Sequence, residues 1–153
     1  MNAVLIRKIL SRHDYVGPFS EGLAPVRKNG KWFHIRPDGT PAYWLRYDWV
    51  GPFSEGLADA MDNSRWFHIR PDGTPAYRQR YDMVWAFSEG LAEALDNGRE
   101  FHIRPDGIPA YRVRYEKVLP FCEGLAIAME RGEWFCIRPD GIRMDPRSIN
   151  TPV

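Results

Sequence analysis

The chain is 153 residues long, enough for one domain or one short repeat array with its own apolar core. Its 21 basic and 20 acidic side chains leave a formal net charge of +1, too balanced for the one-signed stripe of a nucleic-acid binder, and the longest apolar run, Ala3 to Ile6, is far short of a membrane span. Two cysteines, Cys122 and Cys136, exclude a disulfide scaffold.

At the N-terminus Arg7 and Lys8 follow the apolar run instead of preceding it, and no small-residue cleavage site comes after. No secretory signal is read, and a cytoplasmic location without membrane attachment is expected. Residues 1–11 are read as an N-terminal strand or cap. Ile9 to Ser11 precede Arg12 as Tyr43 to Leu45 precede Arg46, so Val4 to Leu10 is expected to form a strand.

From Arg12 onward the chain repeats itself every 34 residues, giving units 12–45, 46–79, 80–113 and 114–147 and a tail 148–153. Such a period marks an array of units that cannot bury their apolar faces alone. A two-helix repeat can have the same length, so local signals must choose. Asn29-Gly30, Asn63-Ser64 and Asn97-Gly98 separate short apolar stretches, and Asp38-Gly39 recurs as Asp72-Gly73, Asp106-Gly107 and Asp140-Gly141. These are hairpin signals, and Gly or Pro interrupts every stretch long enough for a helix.

Each unit therefore reads as a three-stranded antiparallel meander. In the first, strand A covers Gly22 to Lys28, strand B Lys31 to Arg36 and strand C Thr40 to Tyr47. Tight connections centred on Phe19, Phe53, Phe87 and Phe121 join the units. The fold class is all-β, a tandem array of four meanders, with an open solenoid-like array preferred over a closed propeller-like ring. Ile142 to Pro146 is a polar, edge-like version of strand C.

Two-residue turns set Lys28 opposite Lys31, Val26 opposite Phe33, Ala24 opposite Ile35, Ile35 opposite Ala42 and Phe33 opposite Trp44. The core face is then Ala24, Val26, Phe33, Ile35 and Ala42 with their counterparts, and Trp44 lies at its margin. The opposite face varies most between copies and is expected to stay accessible. Its candidate binding residues are Trp32, His34, Tyr43, Trp66, His68, Tyr77, His102, Tyr111 and Trp134.

The repeated Phe-Ser-Glu-Gly-Leu-Ala stretch, the Asn-Gly-Lys-Trp step and the Asp-Gly turn resemble the tryptophan-glycine (WG) beta repeats of bacterial proteins. Phe19, Glu21, Gly22, Leu23, Ala24, Gly30, Lys31, Trp32, Ile35 and Gly39 carry the motif in unit one. The glycine after the tryptophan is replaced by Phe33, Phe67 and Phe135, and unit three has Glu100 in place of the tryptophan. The resemblance implies a repeat class and transfers no catalytic residue.

His34, His68 and His102 fall at one repeat position, which Cys136 takes in unit four. Separate meanders hold such side chains too far apart for one metal ion, so structural histidines are expected. Glu21, Glu55, Glu89 and Glu123 recur in four copies, as do Arg12, Arg46, Arg80 and Arg114 two residues before an acid. Catalytic pairs need one special environment, so turn capping and inter-unit ion pairs are expected instead. The two cysteines read as free, partly buried thiols. No cofactor motif is found, and no cofactor is expected. The first functional reading is a non-catalytic protein-interaction or structural scaffold with an unknown protein partner. The alternative is a small-ligand or glycan binder that uses the tryptophans as stacking platforms.

Overall fold

The computed structural model describes residues 2–144, and positions 145–153 of the fourth unit and tail lie outside the described residues. The chain opens with a helix, α1 (Ala3–Arg12), followed by twelve strands. The first sheet contains β1 (Tyr15–Val16), β2 (Ala24–Lys28) and β3 (Lys31–Ile35), and the second contains β4 (Trp49–Ser54), β5 (Leu57–Asp62) and β6 (Arg65–Ile69). The third is β7 (Met83–Val84), β8 (Ala92–Asp96) and β9 (Arg99–Ile103); the fourth is β10 (Lys117–Val118), β11 (Ala126–Glu130) and β12 (Glu133–Ile137). Each is a three-stranded antiparallel sheet with its strands in chain order. The fold is an all-β tandem repeat array in which successive sheets pack on one another.

The A–B hairpins have the register expected, with Lys28 opposite Lys31, Val26 opposite Phe33 and Ala24 opposite Ile35. Asn29 and Gly30 both adopt positive φ, as do Asn63-Ser64, Asn97-Gly98 and Arg131-Gly132. These are two-residue turns whose twist matches that of the flanking strands.

The third strand differs from expectation. The segment 40–47 forms only isolated bridges, Ile35 to Pro41 and Trp32 to Tyr47, and the strand that completes each sheet is the short one before strand A. The turn explains the difference. Gly39 N–H donates to the Arg36 carbonyl and Arg36 N–H to the Thr40 carbonyl, and only Gly39 has positive φ. The loop therefore contains Pro37 as well as Asp38 and Gly39, a turn closed by a left-handed glycine in place of the two-residue form. One extra residue reverses every side chain beyond it. Ala42 is thus not opposite Ile35, Tyr43 turns inward, and Trp44 points into solvent at 92 % exposure.

The N-terminal segment is also a correction, because Val4 to Leu10 is helical. Asn2 Oδ1 accepts from Leu5 N–H at 2.8 Å, an N-cap, and no Gly or Pro interrupts the segment. Repeat register is nevertheless kept. Ile9 sits against Gly39 as Tyr43, Tyr77 and Tyr111 sit against Gly73, Gly107 and Gly141. At those three glycines a Cβ would collide with the tyrosine ring, and the left-handed φ independently demands glycine.

The core is the expected row of Ala24, Val26, Phe33 and Ile35 with their copies. Phe135 is only half-buried, since no further unit covers it. The repeated arginines do not form the ion pairs expected with Asp14 and its copies. Arg46, Arg80 and Arg114 instead lay their guanidinium groups 3.7, 3.9 and 3.7 Å from the ring centroids of Phe33, Phe67 and Phe101. The acids cap turns: Asp48 Oδ2 accepts from Asn63 N–H and Asp82 Oδ2 from Asn97 N–H, both at 2.9 Å.

Glu21, Glu55 and Glu89 stitch the units together. The Glu21 carboxylate accepts from Glu55 N–H at 2.7 Å and Gly56 N–H at 2.8 Å, and Glu55 holds Glu89 and Gly90 in the same way. Each glutamate has φ near +52°, an uncommon conformation for a side-chain-bearing residue, and its carboxylate occupies the concave pair of N–H groups made by the next copy of the same turn.

Phe67→Ala should cost about 3 to 5 kcal/mol in a urea titration, because it removes a buried ring that holds both Tyr47 and Arg80. Glu55→Ala should cost about 1 to 2 kcal/mol more than Glu123→Ala. Both variants place alanine at positive φ, but among the described residues Glu123 caps no following turn, so the difference isolates the clamp.

Candidate functional site

The face expected to be accessible splits into two bands. The inner band holds His34, His68 and His102, which are fully buried, and Tyr43, Tyr77 and Tyr111, which are nearly so. Their burial corrects the expectation of access. The cause is the following unit, whose phenylalanine seats on the imidazole: Phe53 on His34, Phe87 on His68 and Phe121 on His102, with centroids 4.5, 4.6 and 4.5 Å apart.

The hydrogen bonds determine the imidazole tautomer. A carbonyl can only accept, so Nε2–H donates to Gly51 O at 2.8 Å in His34, to Trp85 O at 2.8 Å in His68 and to Leu119 O at 2.9 Å in His102. Nδ1 then accepts from the hydroxyl of Tyr43, Tyr77 or Tyr111 at 2.6 Å. Burial lowers each histidine to about 4, and the rings are neutral. Burial likewise raises the three tyrosines well above their ordinary value. Both ring nitrogens of each histidine are occupied, and among the described residues no three His, Cys, Asp or Glu side chains are grouped to hold a metal ion.

Two acids share this band. Asp59 lies opposite His68 and Glu93 opposite His102. Burial raises Asp59 to about 6 and Glu93 to about 7, and Glu93 Oε1 is buried without a hydrogen-bond partner among the described residues.

The outer band is the open one. Tyr15 pairs with Arg27 and Arg27 with Trp32; Trp49 pairs with Met61 and Met61 with Trp66. Ring centroids run 5.4 Å from Tyr15 to Trp32, 6.2 Å to Trp49 and 5.2 Å to Trp66, a row of tilted aromatics crossing the first two sheets. Beyond it the row continues through Met83, Leu95, Glu100, Lys117 and Met129 to Trp134, which is 52 % exposed. Glu100 substitutes a hydrogen bond for ring contact, its Oε2 accepting from Val118 N–H at 2.8 Å. Of the candidate residues, Trp32, Trp66 and Trp134 therefore share an exposed row, whereas the histidines and tyrosines pack between units. Sequence reasoning missed Tyr15 and Trp49, which lie 34 residues apart in the connection read as strandless. Cys136 is half-buried opposite Ile127, and Cys122, expected to be partly buried, is exposed.

The WG containing repeat family model matches residues 14–32 and 38–66. The chain is a WG beta-repeat protein. The matches begin at the short strand before strand A, the phase that the sheets themselves follow. No curated protein matches the chain. Among solved structures it is similar to KlHsv2 with loop 6CD replaced by a Gly-Ser linker, at 8 % identity and a TM-score of 0.58, over 86 % of this chain and 52 % of that one. The WG-repeat chain thus spans about half the length of that structure, and the likeness concerns fold alone. A second structure, described as "The de novo evolutionary emergence of a symmetrical protein is shaped by folding constraints", aligns at 8 % identity and a TM-score of 0.41, over 82 % of this chain and 70 % of that one. No helix among the described residues is long and apolar enough to cross a membrane.

The buried groups predict opposing pH dependences. The unfolded chain binds protons on its histidines that the fold refuses, so their contribution is complete above about pH 6.5 and is lost as pH falls toward about 4. Asp59 and Glu93 act in reverse: their contribution is complete below about pH 4 and is lost as pH rises through about 6 and about 7. An Asp59→Asn/Glu93→Gln double variant should gain stability relative to the parent from pH 4 to pH 8. Urea midpoints at each pH check this, and a gap that shrinks with rising pH contradicts it.

Proposed function

We propose that this WG-repeat array is a non-catalytic interaction module whose contact surface is the outer aromatic row, centred on Trp32, Trp49 and Trp66, and whose partner is a protein. The observation that supports this reading is the row itself. Four large rings from two units lie on partly exposed surface at fixed spacing, where rigid strands remove most of the ordering cost of binding. Tryptophan, tyrosine, methionine and arginine are the residue types enriched at interface centres, and Arg27 and Met61 sit between the rings.

Repeat proteins bind through such distributed surfaces because each unit presents the same chemistry at a constant spacing. The second reading, a glycan or small ligand stacked on the tryptophans, uses the same rings but requires a recess at the row. The cavities of the described residues instead lie at seams and ends, such as the one around Tyr47, Phe67 and Arg80.

The test is quantitative recovery of partners by the full chain and by W32A, W49A, W66A and W134A, with circular dichroism to confirm folding. A protein bound by the parent should lose about five- to thirty-fold in affinity with each substitution in units one and two, the equivalent of 1 to 2 kcal/mol. Glu100→Trp should strengthen a contact that spans unit three. Partners bound equally by the parent and all four variants contradict the reading. Tryptophan fluorescence that saturates with an oligosaccharide, but not with protein, replaces it with the second.

A further inference from the structure

The seam between α1 and the first sheet encloses a cavity of about 410 Å³ lined by Arg12, His13, Lys28, Lys31, Phe33 and Arg46, among others, and no carboxylate-bearing residue lines it. We propose that this seam binds a phosphate-type dianion, free or as the phosphate group of a small molecule.

The repeat supplies an internal comparison. The corresponding cavity one unit on is lined by Tyr47, Asp62, Arg65, Phe67 and Arg80, so that an aspartate stands where the first has Lys28 and a tyrosine where it has His13. The hairpin end reads Arg27-Lys28 in unit one but Met61-Asp62, Leu95-Asp96 and Met129-Glu130 in the others. The reversal of sign is confined to the seam closed by the helix. The turn, the phenylalanine floor and the arginine above it are common to both seams, so the common architecture does not require a lysine at position 28.

Arg46 is held for such a role. Its guanidinium carbon lies 3.7 Å from the Phe33 centroid, and Nη1 donates to the Tyr43 and Leu45 carbonyls at 2.9 Å, which fixes the plane. Its other nitrogens make no recorded bond among the described residues. Lys31 is paired with Asp48 at 2.6 Å and Asp14 accepts from Asn29 N–H at 3.0 Å, so two carboxylates flank the cavity. Against them stand Arg12, Lys28, Lys31 and Arg46, and neither Arg12 nor Lys28 has an acidic partner among the described residues. The C-terminal end of α1 also points here, and its partial negative charge is partly countered by Arg12 in the last turn and by His13 Nδ1–H on the Ile9 carbonyl at 2.7 Å. Converging cations in a partly enclosed recess favour a multiply charged anion over a monovalent one, and the volume falls in the range of small-molecule sites.

The probe is inorganic phosphate titrated into the full chain at low ionic strength, read from the backbone amide resonances of Asn29 and Gly39. Sulfate and acetate at matched ionic strength are the controls. Saturable shifts with phosphate and sulfate but not with acetate are expected, weakened about ten-fold in Lys28→Asp, which copies the residue of unit two. Asp62→Lys should create a second phosphate response at Asn63 and Gly73. Glycerol 2-phosphate binding more tightly than phosphate would assign the rest of the cavity to an organic group, and equal binding would assign the site to the free ion. Shifts that follow ionic strength alike for all three anions, or that persist unchanged in Lys28→Asp, overturn the proposal. Because none of these residues lies on the outer row except through the shared hairpin of Arg27, the tryptophan variants should leave the phosphate response intact.

Discussion

The neutral imidazole is the linchpin of the array. His34 accepts the hydroxyl of its own unit's Tyr43 and donates to the Gly51 carbonyl of the next, so one side chain satisfies two polar groups that adjoining units bury against each other. An uncompensated polar atom in that place would cost on the order of 1 to 3 kcal/mol, and a charged ring more. The phenylalanine of the following unit then seals the pair from water. Everything else at the seam follows from this approach. Tyr43 lies where only glycine fits at Gly73, Tyr47 donates to the Gly73 carbonyl at 2.6 Å, and Ser20 Oγ reaches the Phe53 carbonyl at 2.7 Å. The seam thus combines close packing with polar bonds that fix its register, and side chains from one copy of the repeat find backbone of the next.

The A–B hairpins were legible because their signals are local. An Asn-Gly pair between alternating residues specifies both turn and register, and the buried row of Ala24, Val26, Phe33 and Ile35 follows by counting. The third strand was not, because Arg-Pro-Asp-Gly can close a loop with either two or three residues, and the choice reverses the facing of everything beyond it. That single slip misplaced Trp44, hid the inward turn of Tyr43 and made an open face of a packed one. The helix was misread for a related reason. Ile9 and His13 do occupy the repeat positions of Tyr43 and Tyr47, but register says nothing about which backbone conformation delivers them.

The candidate residues divide along the same line. A tryptophan and a histidine two positions apart on one strand share a face by alternation, and alternation alone cannot say how far along the strand the neighbouring unit reaches. The neighbour covers His34 and stops short of Trp32. The distinction therefore lies in tertiary packing, whereas the existence of the row across β1, β3, β4 and β6 could have been found by noticing that Tyr15 and Trp49 recur at the repeat spacing.

An array of near-identical units must also end, and its two ends are handled differently. At the first, Phe19 has no preceding histidine to cover and is 37 % exposed, against 2 % for Phe53, while α1 supplies Ile9 to the seat a tyrosine takes elsewhere. At the last described sheet the serine and histidine positions both become cysteine, Cys122 and Cys136, so the groups that would reach toward a further unit are exchanged for a weak hydrogen-bonding side chain. The polar reach of the seam is withdrawn where no seam follows. Deviation from the repeat is therefore informative in proportion to how well the shared constraint is understood: the cysteines fit the loss of a neighbour, and Glu100 finds a backbone partner in Val118. Lys28 fits no such constraint, since its counterparts show that an acid serves the same turn equally well, and a residue that packing leaves free is where chemistry specific to one unit can be placed.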